Sequence, residues 1–371
     1  MSFAERADVA EERIQVKRVL LVAPRLEPRG ISHYAVGLAR EMKRLAVEVA
    51  VLCAPGPMLA ELRNAEVPVR TFNHLERLGW HFGERKALLA AVQGLSPQIV
   101  HGQSPKVAEA LRLLASNERL PLVLTVHWTP PRSRMLHRLA RRLRGIIATT
   151  QVVREAVVNQ CGVERAKVKV IPNGIEVEHP GAQPIPPIFR SRIPAVGSLG
   201  PVEEMRGHEL FVRAAAMLVR KGLSAQFVVA GGGEQLPELR KLLTQLGMDR
   251  YITLACDFAA YDDVLDALDV VVQSSLVNVS GFSILESMGH GRPVIAFNTG
   301  TACEIIEDEQ TGLLVPKGDV KALAAAIERL IGDPALAQRM GQNAVERVRQ
   351  KFNIRTVAQQ TLDYYAALLK G

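Results

Sequence analysis

Residues 278–296, Asn-Val-Ser-Gly-Phe-Ser-Ile-Leu-Glu-Ser-Met-Gly-His-Gly-Arg-Pro-Val-Ile-Ala, carry the side chains best suited to hold an anion beside a polyol. An apolar strand at 269–273 leads in. Gly281 precedes a short helical run that bears Glu286, and Gly291 and Pro293 end it. Strand, glycine loop and helix N-terminus in that order make an anion site, because unpaired N–H groups and the helix dipole both point at the loop. Glu286 falls about one turn into the helix, where its carboxylate can accept hydrogen bonds from sugar hydroxyls. Phosphate on one side and hydroxyls on the other are what a nucleotide-sugar presents.

Other candidates follow strands in the same way. His127 ends Leu122-Val123-Leu124-Thr125-Val126-His127, at the carboxyl edge where sheets of this kind do their chemistry. His101, ending Gln98-Ile99-Val100-His101, is a weaker parallel, since a lone histidine is more often structural. Gly30 follows the first strand and precedes a helix, so it is either a turn glycine or a point of close backbone approach to a ligand. Arg206, in Arg206-Gly207-His208-Glu209, opens a helix and can grip a phosphate bidentately or simply sit in solvent. Gly231-Gly232-Gly233 alone is weak evidence for a phosphate loop. GxGxxG and GxxxxGK[ST] are both missing, and no HExxH or clustered Cys/His spacing suggests a metal.

The elements that must position these residues alternate. Strands are expected at 17–23, 47–53, 67–72, 98–102, 121–126, 145–149 and 167–171, and again at 193–197, 225–230, 251–254, 269–273, 293–296 and 313–315, with helices between most of them. That pattern predicts an α/β chain with two doubly wound parallel sheets. Residues 1–180 form the first domain, 181–194 a proline-rich linker (Pro184, Pro186, Pro187 and Pro194), and 193–351 the second domain. A last helix within 352–371 is expected to pack back on the first domain. Facing sheets would put the site in the cleft between them.

Composition narrows the partners. The 371-residue chain is 48% hydrophobic and carries a net charge of +8, which suits anionic ligands or surfaces. Aromatics are only 5%, with no stacking platform among the basic residues, so nucleic acid is not expected. Six arginines, Arg132, Arg134, Arg138, Arg141, Arg142 and Arg144, interleave with Leu136, Leu139, Ala140 and Leu143 at helical spacing. This reads either as a solvated helix or as a contact for anionic lipid. The four separated cysteines read as buried free thiols of a reducing compartment. With a polar start and no apolar run near the length of about 18 residues needed to span a bilayer, a cytoplasmic protein, peripheral at most at the inner membrane face, is expected.

Taken together, the motifs resemble the retaining group 1 (family four) glycosyltransferases of GT-B fold. The likeness rests on Leu124 to His127, Val170-Ile171-Pro172-Asn173-Gly174-Ile175-Glu176, Arg206 to Leu210, Gly231 to Gly233, Gly281 to Ala296, Gly300 with Glu304-Ile305-Ile306, and Thr311 to Val315. It implies two facing Rossmann-like domains and transfer of a hexose-type sugar from a nucleotide diphosphate, with retention and without a metal or other cofactor. The acceptor would be a glycan, a lipid-linked sugar or a small molecule, as in cell envelope polysaccharide biosynthesis. By that resemblance Glu286 binds the donor ribose. Backbone at Gly281, Phe282 and Ser283 meets the diphosphate or sugar, Arg206 takes the place of a diphosphate-binding lysine, Gly30 lies against the diphosphate, and His127 holds the transferred sugar.

Three positions depart from the family pattern. The first of the family's paired glutamates is Asn278 here, an amide that can bond hydroxyls but cannot stabilise positive charge at the anomeric carbon. Ser198 replaces an arginine. Arg29 replaces the first glycine of the first-domain loop and is expected to supply the cation that Ser198 lacks. Asn278 and Ser198 keep a second reading open, a homologue that binds nucleotide-sugar or glycan without transferring it. A GT-B enzyme of another reaction, such as an epimerase or phosphorylase, is a third reading.

Overall fold

The computed structural model describes residues 15–28, 30–73, 75–76, 82–115, 120–130, 134–177, 193–256, 261–277 and 279–370. The first sheet is built from β1 (Arg18–Ala23), β2 (Glu48–Cys53), β3 (Val69–Thr71), β4 (Ile99–Gly102), β5 (Leu122–Val126), β6 (Gly145–Ala148) and β7 (Val168–Val170). Its strands are all parallel, in the order β3-β2-β1-β4-β5-β6-β7. The second sheet uses β8 (Ala195–Leu199), β9 (Gln226–Ala230), β10 (Ile252–Ala255), β11 (Val270–Gln273), β12 (Val294–Phe297) and β13 (Gly312–Val315). It too is parallel, ordered β10-β9-β8-β11-β12-β13. In each sheet the order reverses beside the first strand, β1 or β8, which opens a crevice at the carboxyl ends of the strands.

Helices cover both faces, as parallel strands buried on two sides require. In the first half they are α1 (Gly30–Arg44), α2 (Leu59–Asn64), α3 (Phe82–Leu95), α4 (Ala108–Leu114), α5 (Arg134–Ala140) and α6 (Gln151–Cys161). In the second they are α7 (His208–Arg220), α8 (Leu236–Leu246), α9 (Tyr261–Ala267), α10 (Phe282–Gly289), α11 (Gly300–Ile305), α12 (Val320–Gly332), α13 (Pro334–Lys351) and α14 (Ile354–Lys370). β5 shows why the pattern works: Leu122 through Val126 are all buried, four apolar residues and one threonine with no polar alternation, which only a doubly covered sheet accommodates.

The last helix returns to the first sheet. Ile354, Val357, Ala358 and Tyr365 of α14 are buried in one cluster with Tyr34, Leu38 and Met42 of α1. The isolated bridge Ile175–Asn353 marks where the chain crosses back. The expected linker falls mostly within residues 178–192, outside the described residues.

Two expectations change. Arg206 does not begin a helix: it closes a 3-10 turn (Glu204–Arg206), and Gly207, at φ 66°, separates that turn from α7. A Cβ at Gly207 would lie 2.1 Å from the Ser274 carbonyl oxygen, so the left-handed break is enforced by the neighbouring strand end. Of the four free cysteines, Cys53 and Cys161 are buried, but Cys256 is only half-buried and Cys303 is exposed. No helix among the described residues is long and apolar enough to cross a membrane.

Candidate active site in the interdomain cleft

His127, the first residue after β5, is wholly buried. Its Nδ1 lies 2.6 Å from Asn173 Oδ1 and its Nε2 lies 2.8 Å from the Gln103 carbonyl oxygen. Asn173 donates from Nδ2 to the Ser280 carbonyl oxygen of the other domain (2.7 Å), which turns Oδ1 toward the imidazole. Both ring nitrogens therefore face acceptors, and a neutral ring can satisfy only one of them. Burial pulls the pKa down to about 4, against the contrary pull of those two hydrogen bonds. Tyr34 meets the ring edge-on, with centroids 5.2 Å apart, and Phe282 approaches from the second domain at 5.8 Å.

His101 belongs elsewhere. Its Nδ1 accepts from the Tyr365 hydroxyl of α14, and its Nε2 donates to Thr125 Oγ1 at 2.7 Å. Burial, and then the neighbouring His127, hold its pKa near 3. It fastens the last helix to the sheet and does not reach the cleft.

The glycine loop is shaped as the sequence suggests. Gly281 has φ 77°, and a Cβ there would strike Ile305 and Thr301 of α11 at 2.6 and 2.7 Å. A side chain is thus barred by backbone conformation and by space alike. The first N–H groups of α10 have no acceptor within the helix. Phe282 fills the gap: the Cβ position of Gly30 lies only 2.3 Å from its side chain, so Gly30 is one of the points where the two domains touch. The Ser283 hydroxyl donates to Gln273 Oε1 at 3.3 Å, which ties α10 back to β11.

Glu286 lies on the cleft side of α10, with His33 of α1 opposite it (Nδ1 to Oε1 3.9 Å). Desolvation, and then the Asp262 carboxylate, raise its pKa to about 8, while His290 opposes them. His290 is held between Asp262 and Asp266, 3.2 Å from each. Half-buried Tyr261 completes this group, its hydroxyl pKa pushed up by desolvation and then by Glu286. Glu286 is thus a half-buried carboxyl whose desolvation favours its neutral form.

Arg206 points along the second domain's loop edge: its guanidinium lies 4.0 Å from the Cβ position of Gly200 and from Glu203 Oε2. Ser198 is buried, and its hydroxyl donates to His208 Nδ1 at 3.0 Å while His208 Nε2 donates to the Pro201 carbonyl oxygen at 3.2 Å. It is a strut of the β8 loop and does not face a ligand. The triple glycine also has a packing reason. Cβ atoms at Gly231 and Gly233 would lie 2.0 and 2.3 Å from the carbonyl oxygens of Gly200 and Val202. Arg29 and Asn278 lie outside the described residues, as does Arg132.

The structure thus brings His127, Gly30, Gly281, Phe282, Ser283 and Glu286 to one cleft, with Arg206 at its second-domain side. Sequence reading missed Tyr34, His33, Tyr261, Asp262 and His290 as neighbours of that cleft. Asn173 carried a signal in its motif, an amide held between glycine and proline just past a strand. The others sit within or at the ends of helices, where periodicity shows burial but not what is met across the cleft. A cavity of about 400 Å³ lies at the opposite edge of the first sheet, lined by Arg18, Val49, Lys43 and Glu66 among others. It opens at strand amino ends, away from the crevice where such sheets bind ligands.

Comparison with known proteins identifies the family. The family profile described as glycosyl transferases group 1 matches residues 189–347, and that of glycosyltransferase family 4 matches residues 28–179. The chain belongs to the group 1, family-four-like glycosyltransferases of GT-B fold. Among particular relatives, it is 33% identical over 175 residues to an alpha-D-kanosaminyltransferase of Streptomyces kanamyceticus, covering 46% of this chain and 45% of that one, so the match spans about half of the relative. It is 27% identical over 384 residues to a 2-deoxystreptamine N-acetyl-D-glucosaminyltransferase of Streptomyces fradiae, covering 91% and 90%. The Anabaena protein HepE, solved in complex with UDP and glucose, superposes with a TM-score of 0.79 at 22% identity, over 95% of this chain and all of that one.

Proposed function

We propose that this protein transfers a hexose-type sugar from a nucleoside diphosphate donor to a glycan, lipid-linked or small-molecule acceptor, with retention at the anomeric carbon and without a metal. The observation that carries the reading is the convergence, across one cleft, of His127, the α10 N-terminus at Gly281 and the raised carboxyl of Glu286. Structural relatives crystallised with UDP or UDP-glucose support a uridine donor. In this reading Glu286 accepts the ribose hydroxyls, and the diphosphate lies over the backbone of Phe282 and Ser283. The leaving charge is met by Arg206 and those N–H groups. His127, after exchanging one of its protein acceptors, bonds a hydroxyl of the transferred sugar.

The test is turnover. Incubating the enzyme with UDP-glucose, UDP-N-acetylglucosamine and an acceptor panel should release UDP and give a product whose anomeric proton keeps the donor's configuration. Inversion would contradict the mechanism, and absence of release from every nucleotide-sugar would contradict the activity.

Two observations favour the second reading, a binding homologue without transfer. Ser198 is engaged with His208 and offers nothing to a leaving group, and both nitrogens of His127 are engaged with protein oxygens. On that reading nucleotide binds tightly and no sugar moves.

A peripheral contact with the cytoplasmic face of a membrane completes the proposal. On and just after α5, Arg134, Arg138, Arg141, Arg142 and Arg144 are exposed while Leu136, Leu139, Ala140 and Leu143 are buried. The segment carries no acid, so its outer face suits anionic headgroups.

A further inference from the structure

Glu304 lies on α11 of the second domain, outside the set of residues expected to touch the donor. Its carboxylate nevertheless reaches the first domain. Oε2 accepts from the Gln151 N–H at 2.8 Å and Oε1 accepts from the Val152 N–H at 3.0 Å. These are the first two residues of α6, and the third N–H, of Val153, is taken by Thr150 Oγ1 at 3.1 Å. The positive end of a helix in one domain is thus completed by a carboxylate from the other.

What Glu304 joins is specific. On the first-domain side, Thr149, two residues before α6, donates its hydroxyl to the His127 carbonyl oxygen at 3.3 Å. On the second-domain side, α11 is the element whose Thr301 and Ile305 side chains press on Gly281. One carboxylate therefore links the support of His127 to the support of the donor-side glycine loop. Glu304 is half-buried, where water can compete for its carboxylate. Asn173 to Ser280 and Phe282 to Gly30 are buried contacts of the same closure, but they touch the site itself.

We propose that Glu304 is a positioning residue, a clasp on the α6 N-terminus that sets the spacing of the two half-sites in the closed enzyme. Its effect on turnover rests on the transferase reading above; its effect on domain spacing does not.

Three variants test it in the full chain. Glu304→Ala removes both acceptors, and Glu304→Gln keeps the shape with a weaker, uncharged acceptor. Gln151→Pro deletes one donor from the other side. Proline is tolerated at the first position of a helix, and Thr150 before it is already extended (φ −149°, ψ 165°). Small-angle scattering of the nucleotide-free protein should show a larger radius of gyration for Glu304→Ala, and a smaller increase for Gln151→Pro. Combining the two should add nothing beyond Glu304→Ala. In turnover, kcat should fall about tenfold for Glu304→Ala, the loss expected for one charge-assisted contact. The donor KM should hardly change, and Glu304→Gln should recover part of the rate. Unchanged scattering in both single variants would overturn the proposal, and so would a lowered melting temperature with domain spacing and kcat intact. If wild-type enzyme transfers no sugar, the transferase reading fails, while the scattering comparison still decides the clasp.

Discussion

At the residue scale, Glu286 makes the sharpest claim. Its folded pKa, about 8, lies above the usual carboxylate value of about 4.5. The sign follows: the stability that goes with the proton is fully present below the ordinary value and is lost as pH rises through about 8. The ligand-free protein should therefore lose melting temperature between pH 5 and pH 9 more steeply than Glu286→Gln, which mimics the protonated acid. Parallel pH profiles of the two proteins would contradict the environment described for Glu286. Gly281→Ala should be costly for a different reason, because its φ of 77° disfavours a side chain and Thr301 and Ile305 leave no room. A loss of about 1–2 kcal/mol in denaturant unfolding is expected, and a neutral result would mean that the loop relaxes freely. Glu286, Gly281 and His127 were legible because each follows a strand or glycine at a telling position. His33 and Tyr34 were not, because what they meet, Glu286, His127 and Phe282, lies far from them in the sequence.

At the element scale, α14 and α5 behave differently from what their sequences advertise. α14 reads as an ordinary amphipathic helix, but Tyr365 anchors it to His101 at the heart of the first sheet. Tyr365→Phe should cost about 1 kcal/mol, read by chemical unfolding, since the imidazole Nδ1 is left buried without a donor. His101, His127 and His208 are all held neutral, with folded values of about 3, 4 and 4. Their stabilisation is present above the ordinary histidine value and is lost as pH falls through about 4. An acid titration of unfolding should thus show a stability decline beginning below about pH 6.5, and Tyr365→Phe should share it. The basic run around α5 was legible as an amphipathic helix, but the helix itself is a short one, Arg134–Ala140. Vesicles containing phosphatidylglycerol should bind the protein at low salt and release it as salt rises. Equal binding to uncharged vesicles would contradict an electrostatic contact.

At the scale of the whole molecule, the sequence carried the architecture almost entirely. Each expected strand has a counterpart within a residue or two, because buried parallel strands leave largely apolar runs without polar alternation, such as 122–126. The meeting of the two domains was less legible. Gly30 against Phe282, Asn173 against Ser280 and Glu304 against α6 join residues from 107 to more than 250 positions apart, and no local pattern records such pairings. The central claim concerns that meeting, a cleft that takes a nucleoside diphosphate with Glu286 as its ribose acceptor. A thermal-shift comparison of wild type and Glu286→Ala against UDP, GDP, ADP and their sugars tests it most directly. One nucleotide family should raise the wild-type melting temperature, since a ligand at about 100 times its dissociation constant adds about 2.7 kcal/mol of stability, and Glu286→Ala should lose most of that rise. No shift of the wild type with any nucleotide, or an equal shift in both proteins, would contradict the account.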